Sequence, residues 1–263
     1  YDLARLKLEE RTPGGALKLL HHIRTISVHP RISASLEDAD FEKASARLQA
    51  AMEILRRIEA AEERALVFIE SRKMQERFIQ IARRAFRLSR VDLINGDTPI
   101  QQRQRIVERF QRHLIQNGGF DLLVLGPKAA GTGLTLTAAT HVIHLSRWWN
   151  PAVEEQCNDR VHRIGQSRDV LIHVPLAIHP RFREHSFDCL LQSLMTRKRR
   201  LAAAALWPAG DTLSDVAYLG EAIKQAKASD DGDPVLRAVE AMFIRDRQVP
   251  PPIDQDGVIF LPE

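Results

Sequence analysis

Two hydrophobic rhythms divide the chain. Near its start, Phe41, Ala44, Leu48, Met52, Leu55 and Ile58 recur at steps of three and four, the spacing of one helical face. Leu17 through Leu20, with Ile23 and Ile26, predicts an earlier helix that stops before His29-Pro30, because proline disfavours helix at the residue before it. From Ala65 the rhythm changes. Ala65–Ile69 is a short apolar run rich in strand formers, too short for a helix. A helix is expected from Lys73 to Phe86, a strand at Val91–Ile94 and a turn at Asn95-Gly96-Asp97. The next helix runs from Pro99 to about Gln116; proline suits a first helical position, and Asp97 or Thr98 is the expected cap. Further strands fall at Leu122–Leu125, Val142–Leu145 and Val170–Val174. Strands alternating with helices imply an α/β fold, a parallel sheet with helices on both faces. After Pro180 the rhythm is helical again. Phe187, Leu190, Leu191, Leu194 and Met195 form a stripe that ends in the basic run Arg197–Arg200. A loop is expected at Asp230–Pro234 and a final strand at Val258–Leu261, beyond Pro250–Pro252. The expected organisation is a helical segment (1–60), an α/β lobe (61–180) and a helical C-terminal extension (181–263).

Composition narrows the setting. The 263 residues, 44% hydrophobic, are enough for a sizeable core. The chain opens on Tyr1 rather than Met and is expected to be a piece of a longer protein. The longest apolar run is about Leu201–Trp207, far short of the roughly 20 residues that span a bilayer. Two cysteines, Cys157 and Cys189, make no disulfide framework, and an intracellular, reducing compartment such as a bacterial cytoplasm fits best. The net charge is +4, unevenly spread: 11 acidic and 5 basic residues from Asp211 onward, against 23 acidic and 33 basic before it. A basic body suits a polyanion partner, although an uneven solvated surface would look the same. His21, His22 and His29 lack cysteine or carboxylate company at ligand spacing, so no metal site is expected.

Chemistry concentrates in residues 126–166. Gly126-Pro127-Lys128-Ala129-Ala130-Gly131-Thr132-Gly133 follows a strand and tempts a phosphate-loop reading. That reading fails, because a phosphate loop needs Lys and then Ser/Thr directly after its last glycine. Taken alone the segment is best explained as a strand-to-helix turn. Trp148-Trp149-Asn150-Pro151 places two large rings beside a helix start, where core packing is the default and stacking on nucleic acid the functional alternative. On a helix from Ala152 to Gly165, Val153, Cys157, Val161 and Ile164 fall in one stripe about 80° wide. Gln156, Arg160 and Arg163 share an adjoining stripe about 60° wide. Arginines flanking a core face are costly to bury without an anion, although a solvated face would tolerate them. At the end of a strand–helix unit, where ligands gather in such sheets, they suit a phosphoryl group.

The order of these pieces resembles a known family. Gly131-x-Gly133-Leu134-x-Leu136-Thr137-Ala138-Ala139, Trp149-Asn150-Pro151, and Gln156-x-x-Asp159-Arg160-x-His162-Arg163-Ile164-Gly165-Gln166 resemble motifs V and VI of the Swi/Snf-like branch of superfamily-two helicases. Val67-Phe68-Ile69 with Ser71 is similar to motif IV, and Asn95-Gly96-Asp97-Thr98-Pro99 with Arg103 and Phe110 to the stretch that follows it. His29-Pro30 and Ser45-x-x-Leu48 resemble the helical segment before this lobe. The resemblance covers about residues 17–177. Gly126-Pro127-Lys128 departs from the usual Ser-Thr-Arg, Ala130 from a glycine and Thr135 from an asparagine.

What the resemblance implies is the C-terminal, RecA-like lobe of an ATP-driven translocase on duplex DNA. ATP and magnesium would be held mainly by a separate N-terminal lobe. This chain has no Gly-Lys-Ser/Thr loop and is expected to be inactive alone. By similarity, Arg160 and Arg163 are arginine fingers, Gln156 positions them or senses nucleotide, and Gly131 and Gly133 line the cleft. Ser71, Thr98 and Lys128 would hold phosphates of the tracked strand, with Trp149 near the duplex. Other proteins could dock on the C-terminal helices, while a solvated helix end is the simpler reading of Arg197–Arg200. An RNA-directed helicase lobe, or a RecA-like module that only binds nucleic acid or protein, are the alternatives.

Overall fold

The computed structural model describes residues 15–116, 118–127 and 133–203. The loop expected at Asp230–Pro234 and the strand at Val258–Leu261 lie outside these. Contacts divide the chain into two units: Val28–Pro175, and a second made of the segments before and after it.

Five strands form one parallel sheet: β1 (Arg64–Phe68), β2 (Asp92–Ile94), β3 (Asp121–Leu125), β4 (His141–His144) and β5 (Leu171–His173), in the order β2-β3-β1-β4-β5. β1 sits centrally, with Leu66 opposite Leu123 on one side and Val142 on the other. Successive side chains of a strand point to opposite faces, so β1 feeds two cores. Ala65, Val67 and Ile69 join Leu122, Val124, Ile143 and Leu145 on one face, covered by α3 (Ala46–Ala60) through Leu48, Met52 and Leu55, and by α4 (Arg72–Ala85) through Met74, Phe78 and Ile81. Leu66 and Phe68 join Ile94, Leu123, Leu125 and Val142 on the other. That face is covered by α5 (Ile100–Gln111) through Ile106 and Phe110, and by α7 (Pro151–Asn158) through Cys157. The expected doubly covered parallel sheet is therefore present. The edge strand β5 is the exception to burial, with Leu171 and Ile172 43% and 48% exposed.

Helix boundaries follow local chemistry. α1 (Gly15–Val28) stops where Pro30 predicts. The stripe from Phe41 to Ile58 breaks into α2 (Asp38–Lys43) and α3, because Ser45 caps α3: its Oγ accepts from Leu48 N at 3.1 Å and donates to Val28 O at 2.7 Å. The helix expected from Pro99 to Gln116 is interrupted at Arg112, leaving α6 (His113–Gln116) as a separate turn. Pro99 occupies the cap rather than the first turn, and Thr98 Oγ1 accepts from Asn95 N at 3.0 Å instead of capping α5. The helix expected to Gly165 ends at Asn158. Arg160 and Arg163 therefore lie on turns, and Ile164, expected in the core, is fully exposed. The helical stripe fails here because Arg160 N and Val161 N bond to carbonyls only three residues back, at Cys157 and Asn158, and Arg163 N to Val161 O.

In the second unit a short 3-10 turn (Arg183–His185) leads into α8 (Phe187–Ala203), which buries the expected stripe from Phe187 to Met195. Asp188 Oδ2 accepts from Ala177 N at 2.6 Å and Ser186 Oγ from His179 N at 2.8 Å, fixing the approach to this helix.

Candidate nucleotide and nucleic-acid interface

All five strands run the same way, so the loops after them share one edge of the sheet. The chain leaves β1 toward β2 through α4 and leaves β4 toward β5 through α7, on the opposite face. The crevice between β1 and β4 is thus the topological switch point, where such sheets bind ligands. Glu70 N bonds to Ser146 Oγ at 3.1 Å and Ser146 N to Phe68 O at 3.1 Å, closing its base.

Two groups of the expected residues are assembled there. In the first, the segment after β3 is stitched to the turns after α7. Leu136 N bonds to Arg160 O at 2.8 Å. Arg163 Nη1 donates to Gly133 O at 3.2 Å and to Thr135 Oγ1 at 3.0 Å, while its Nε donates to Asp159 O at 3.0 Å. Thr135, where the resembled family has asparagine, thus supplies a hydroxyl to Arg163. Gln166 Nε2 donates to Thr137 O and Ala139 O at 3.1 and 2.9 Å, and Arg168 Nη2 to Ala138 O at 2.9 Å. Gly133 (φ +68°) and Gly165 (φ +101°) adopt left-handed backbone that favours glycine. Gln156 lies exposed on α7, and Lys128 and Gly131 lie outside the described residues.

The electrostatics of the arginines are unusual. Arg160 is only 6% exposed, its Nε is buried without a hydrogen-bond partner, and no carboxylate among the described residues is within ion-pair reach. Burial, then the neighbouring Arg163, pushes its pKa below the ordinary arginine value. Arg163 is exposed and bonds to neutral oxygens. Among the described residues neither arginine has an ion-paired carboxylate, and positive charge placed this way is stabilised by an anion.

In the second group, Ser71 caps α4, its Oγ accepting from Met74 N at a long 3.5 Å. Thr98 closes the turn after β2. Arg103 braces that turn by donating to Thr98 O at 2.7 Å and Asn95 O at 3.1 Å. Arg72 reaches across to Asp97 at 2.8 Å, joining the Ser71 and Thr98 loops. Trp149 is half-buried beside Asn150, which caps α7 by accepting from Ala152 N at 3.1 Å.

Comparison with known proteins bears on the family and the fold. Residues 46–165 match the family model described as the helicase conserved C-terminal domain. YwqA of Bacillus subtilis, named for an ATP-dependent helicase/translocase, is 35% identical over 192 residues, 73% of this chain and 20% of that protein. The Zorya protein ZorD of Escherichia coli is 32% identical over 194 residues, 72% of this chain and 17% of its own length. The chain therefore spans about a fifth of these relatives. The Sulfolobus solfataricus SWI2/SNF2 ATPase core in complex with dsDNA superimposes with a TM-score of 0.64 at 25% identity, over 87% of this chain and 46% of that one. This chain carries the C-terminal lobe of a Swi/Snf-like superfamily-two helicase.

The helicase lobe holds two polar clusters that the sequence did not announce. Arg147, at the end of β4, pairs with Glu154 of α7 through Nε at 2.7 Å and Nη2 at 3.2 Å, both side chains almost fully buried. Trp148 N also donates to Glu154, at 3.2 Å. Burial would raise the Glu154 carboxyl, but Arg147, then His144 and the hydrogen bonds, hold it down to about 2. The second cluster centres on Gln75, which donates to Ile69 O at 2.7 Å and accepts from Asn95 Nδ2 at 3.0 Å, tying the ends of β1 and β2 together. Gly126 fits beside them, since a side chain there would meet Asn95 Cβ at 3.3 Å. The sequence signals were a glutamate three residues after the proline of Trp-Trp-Asn-Pro, and an asparagine read as a turn former at the start of the Asn-Gly-Asp-Thr-Pro stretch. His29 is structural: its Nε2 donates to Phe41 O at 2.8 Å and its Nδ1 accepts from Arg31 N at 3.0 Å.

Proposed function

We propose that this lobe is the second half of an ATP-dependent duplex-DNA translocase. It supplies Arg160 and Arg163 to a nucleotide held on a separate phosphate-loop lobe, and takes up the DNA backbone through Ser71, Thr98, Lys128 and Trp149. The observation that carries the reading is Arg160: a residue only 6% exposed, with a buried, unpartnered Nε, no ion-paired carboxylate among the described residues, and a second arginine beside it. Such charge is costly unless an anion completes it. ATP supplies that anion and the phosphoryl group to be transferred. Arg160 and Arg163 then stabilise the charge that develops on the transferring oxygens. Gln156 orients them, and the glycines Gly131 and Gly133 let the backbone approach closely. Ser71 keeps its hydroxyl proton for a phosphate while its oxygen caps α4. Thr98 exchanges a weak 3.3 Å bond to Leu93 O for a phosphate oxygen. Contacts of this kind position a motor without reading sequence. The names of YwqA and of the DNA-bound archaeal core support ATP use and duplex DNA. The chain contains no Gly-Lys-Ser/Thr loop, so alone it turns over no ATP.

The test uses the intact protein that carries this lobe. Arg160→Ala or Arg163→Ala is expected to lower DNA-stimulated ATP turnover by at least about 100-fold while nucleotide still binds. Turnover within a few-fold of wild type rejects the finger role. Stimulation by RNA but not by duplex DNA rejects the substrate.

A further inference from the structure

A cavity of about 440 Å³ runs along α5 from Pro99 to Arg109, with Arg90 of the segment before β2 on its other side. Its lining is rich in donors. Arg90, Arg105 and Arg109 line it with Gln101, Gln102, Ile106 and Pro99, and no carboxylate is among the lining residues. Two of the arginines are held from behind. Asp92, buried at the start of β2, takes the Arg90 Nε on one oxygen and the Arg109 Nε at 2.7 Å on the other, with Arg109 Nη2 in ion-pair contact at 2.6 Å. Asp121 takes Arg109 Nη1 at 3.1 Å. Buried carboxylates therefore fix the forks, while both Nη groups of Arg90 make no bond among the described residues. Arg105 is exposed and has no carboxylate within ion-pair reach among the described residues. Glu108, the acidic residue of α5, is engaged by Gln104 at 3.1 Å.

We propose that this cavity is a second phosphate site for the DNA backbone, continuing the strand path from Thr98 along the β2 edge. The inference rests on the duplex-DNA reading above. A phosphodiester offers acceptors only and so matches a wall of donors. An acidic peptide would also bring a row of backbone N–H groups, for which this lining offers only the Gln101 and Gln102 amide oxygens. The position decides between them further: Pro99, Gln101 and Gln102 follow directly on Thr98.

The test measures binding of a fluorescent duplex to this chain by anisotropy across a salt series. Arg105→Gln is compared with Arg31→Gln, which removes the same charge at an exposed position away from the cavity. Loss of one phosphate contact is expected to lower the slope of log K against log salt by about 0.9, or about 3.5-fold less loss of affinity between 50 and 200 mM salt. The Arg31 variant should keep the wild-type slope. Equal slopes for all three proteins overturn the proposal and leave the motor reading standing. No duplex binding by wild type at low salt overturns both. Arg105-dependent capture of polyglutamate without Arg105-dependent DNA binding makes the occupant an acidic protein and also overturns it.

Discussion

Replacing Glu154 by glutamine removes one charge from a pair that has almost no access to water. The Arg147 and Glu154 side chains are 1% and 4% exposed, and Arg147 Nη1 already lacks a partner. Glu154→Gln would leave the guanidinium buried without its counter-charge, a change that costs about 3–5 kcal/mol in general. The charge environment of Glu154 points the same way. The Glu154 pKa falls from 4.5 to about 2 on folding, and each unit is worth about 1.4 kcal/mol, so the pair contributes roughly 3 kcal/mol. Because the folded pKa is depressed, this stability is complete above about pH 4.5 and is lost as pH falls toward 2. Urea unfolding followed by tryptophan fluorescence should therefore separate wild type from Glu154→Gln by about 3 kcal/mol at pH 7. The gap should narrow as pH drops below 4.5. Replacing both partners, Arg147→Met with Glu154→Leu, should recover most of the loss, since no charge remains to be desolvated. A gap under about 1 kcal/mol at pH 7, or one that ignores pH between 5 and 3, would refute the reasoning.

Acid should also act through a second, higher window. His173 bonds to His141 at 2.9 Å, and burial, then His141 and Arg57, lower its pKa from 6.5 to about 4. The unfolded chain binds that proton first, so stability should fall as pH drops from about 6.5 to 4, and His173→Gln should flatten this part of the unfolding profile. The Cys157 thiol, pushed up to about 12 by burial and then Glu154, should resist a thiol reagent at pH 8 in a Cys189→Ser background until urea unfolds the chain. Gly165→Ala meets open space but forces an L side chain to φ +101°. It should cost about 1–2 kcal/mol, read as a lower denaturation midpoint. Gln75→Ala removes both bonds that tie β1 to the Asn95 turn and should cost about 1–3 kcal/mol in the same assay.

The sheet was legible in the sequence because burial on both faces leaves near-continuous apolar runs. Leu66–Phe68 and Leu122–Leu125 are each fully buried, the pattern of strands covered on both faces. α1 could be ended at Pro30 and α3 begun at Ser45 because proline and a serine cap act through bonds within a few residues. The motif strings around Gly133 and Arg163 likewise announced the family. Periodicity misled where a helix had no packing to sustain it. Between Asp159 and Gly165 the wheel placed Ile164 inside, yet three-residue hydrogen bonds unwind the chain after Asn158 and turn that side chain to water. What only the tertiary structure decided is which side chains lack a partner. The pairing of Arg147 with Glu154, the neutral acceptors chosen by Arg163, and the isolation of Arg160 all depend on groups brought together by strand order. Coulomb and desolvation energies follow distance through space, and the sequence records distance only along the chain.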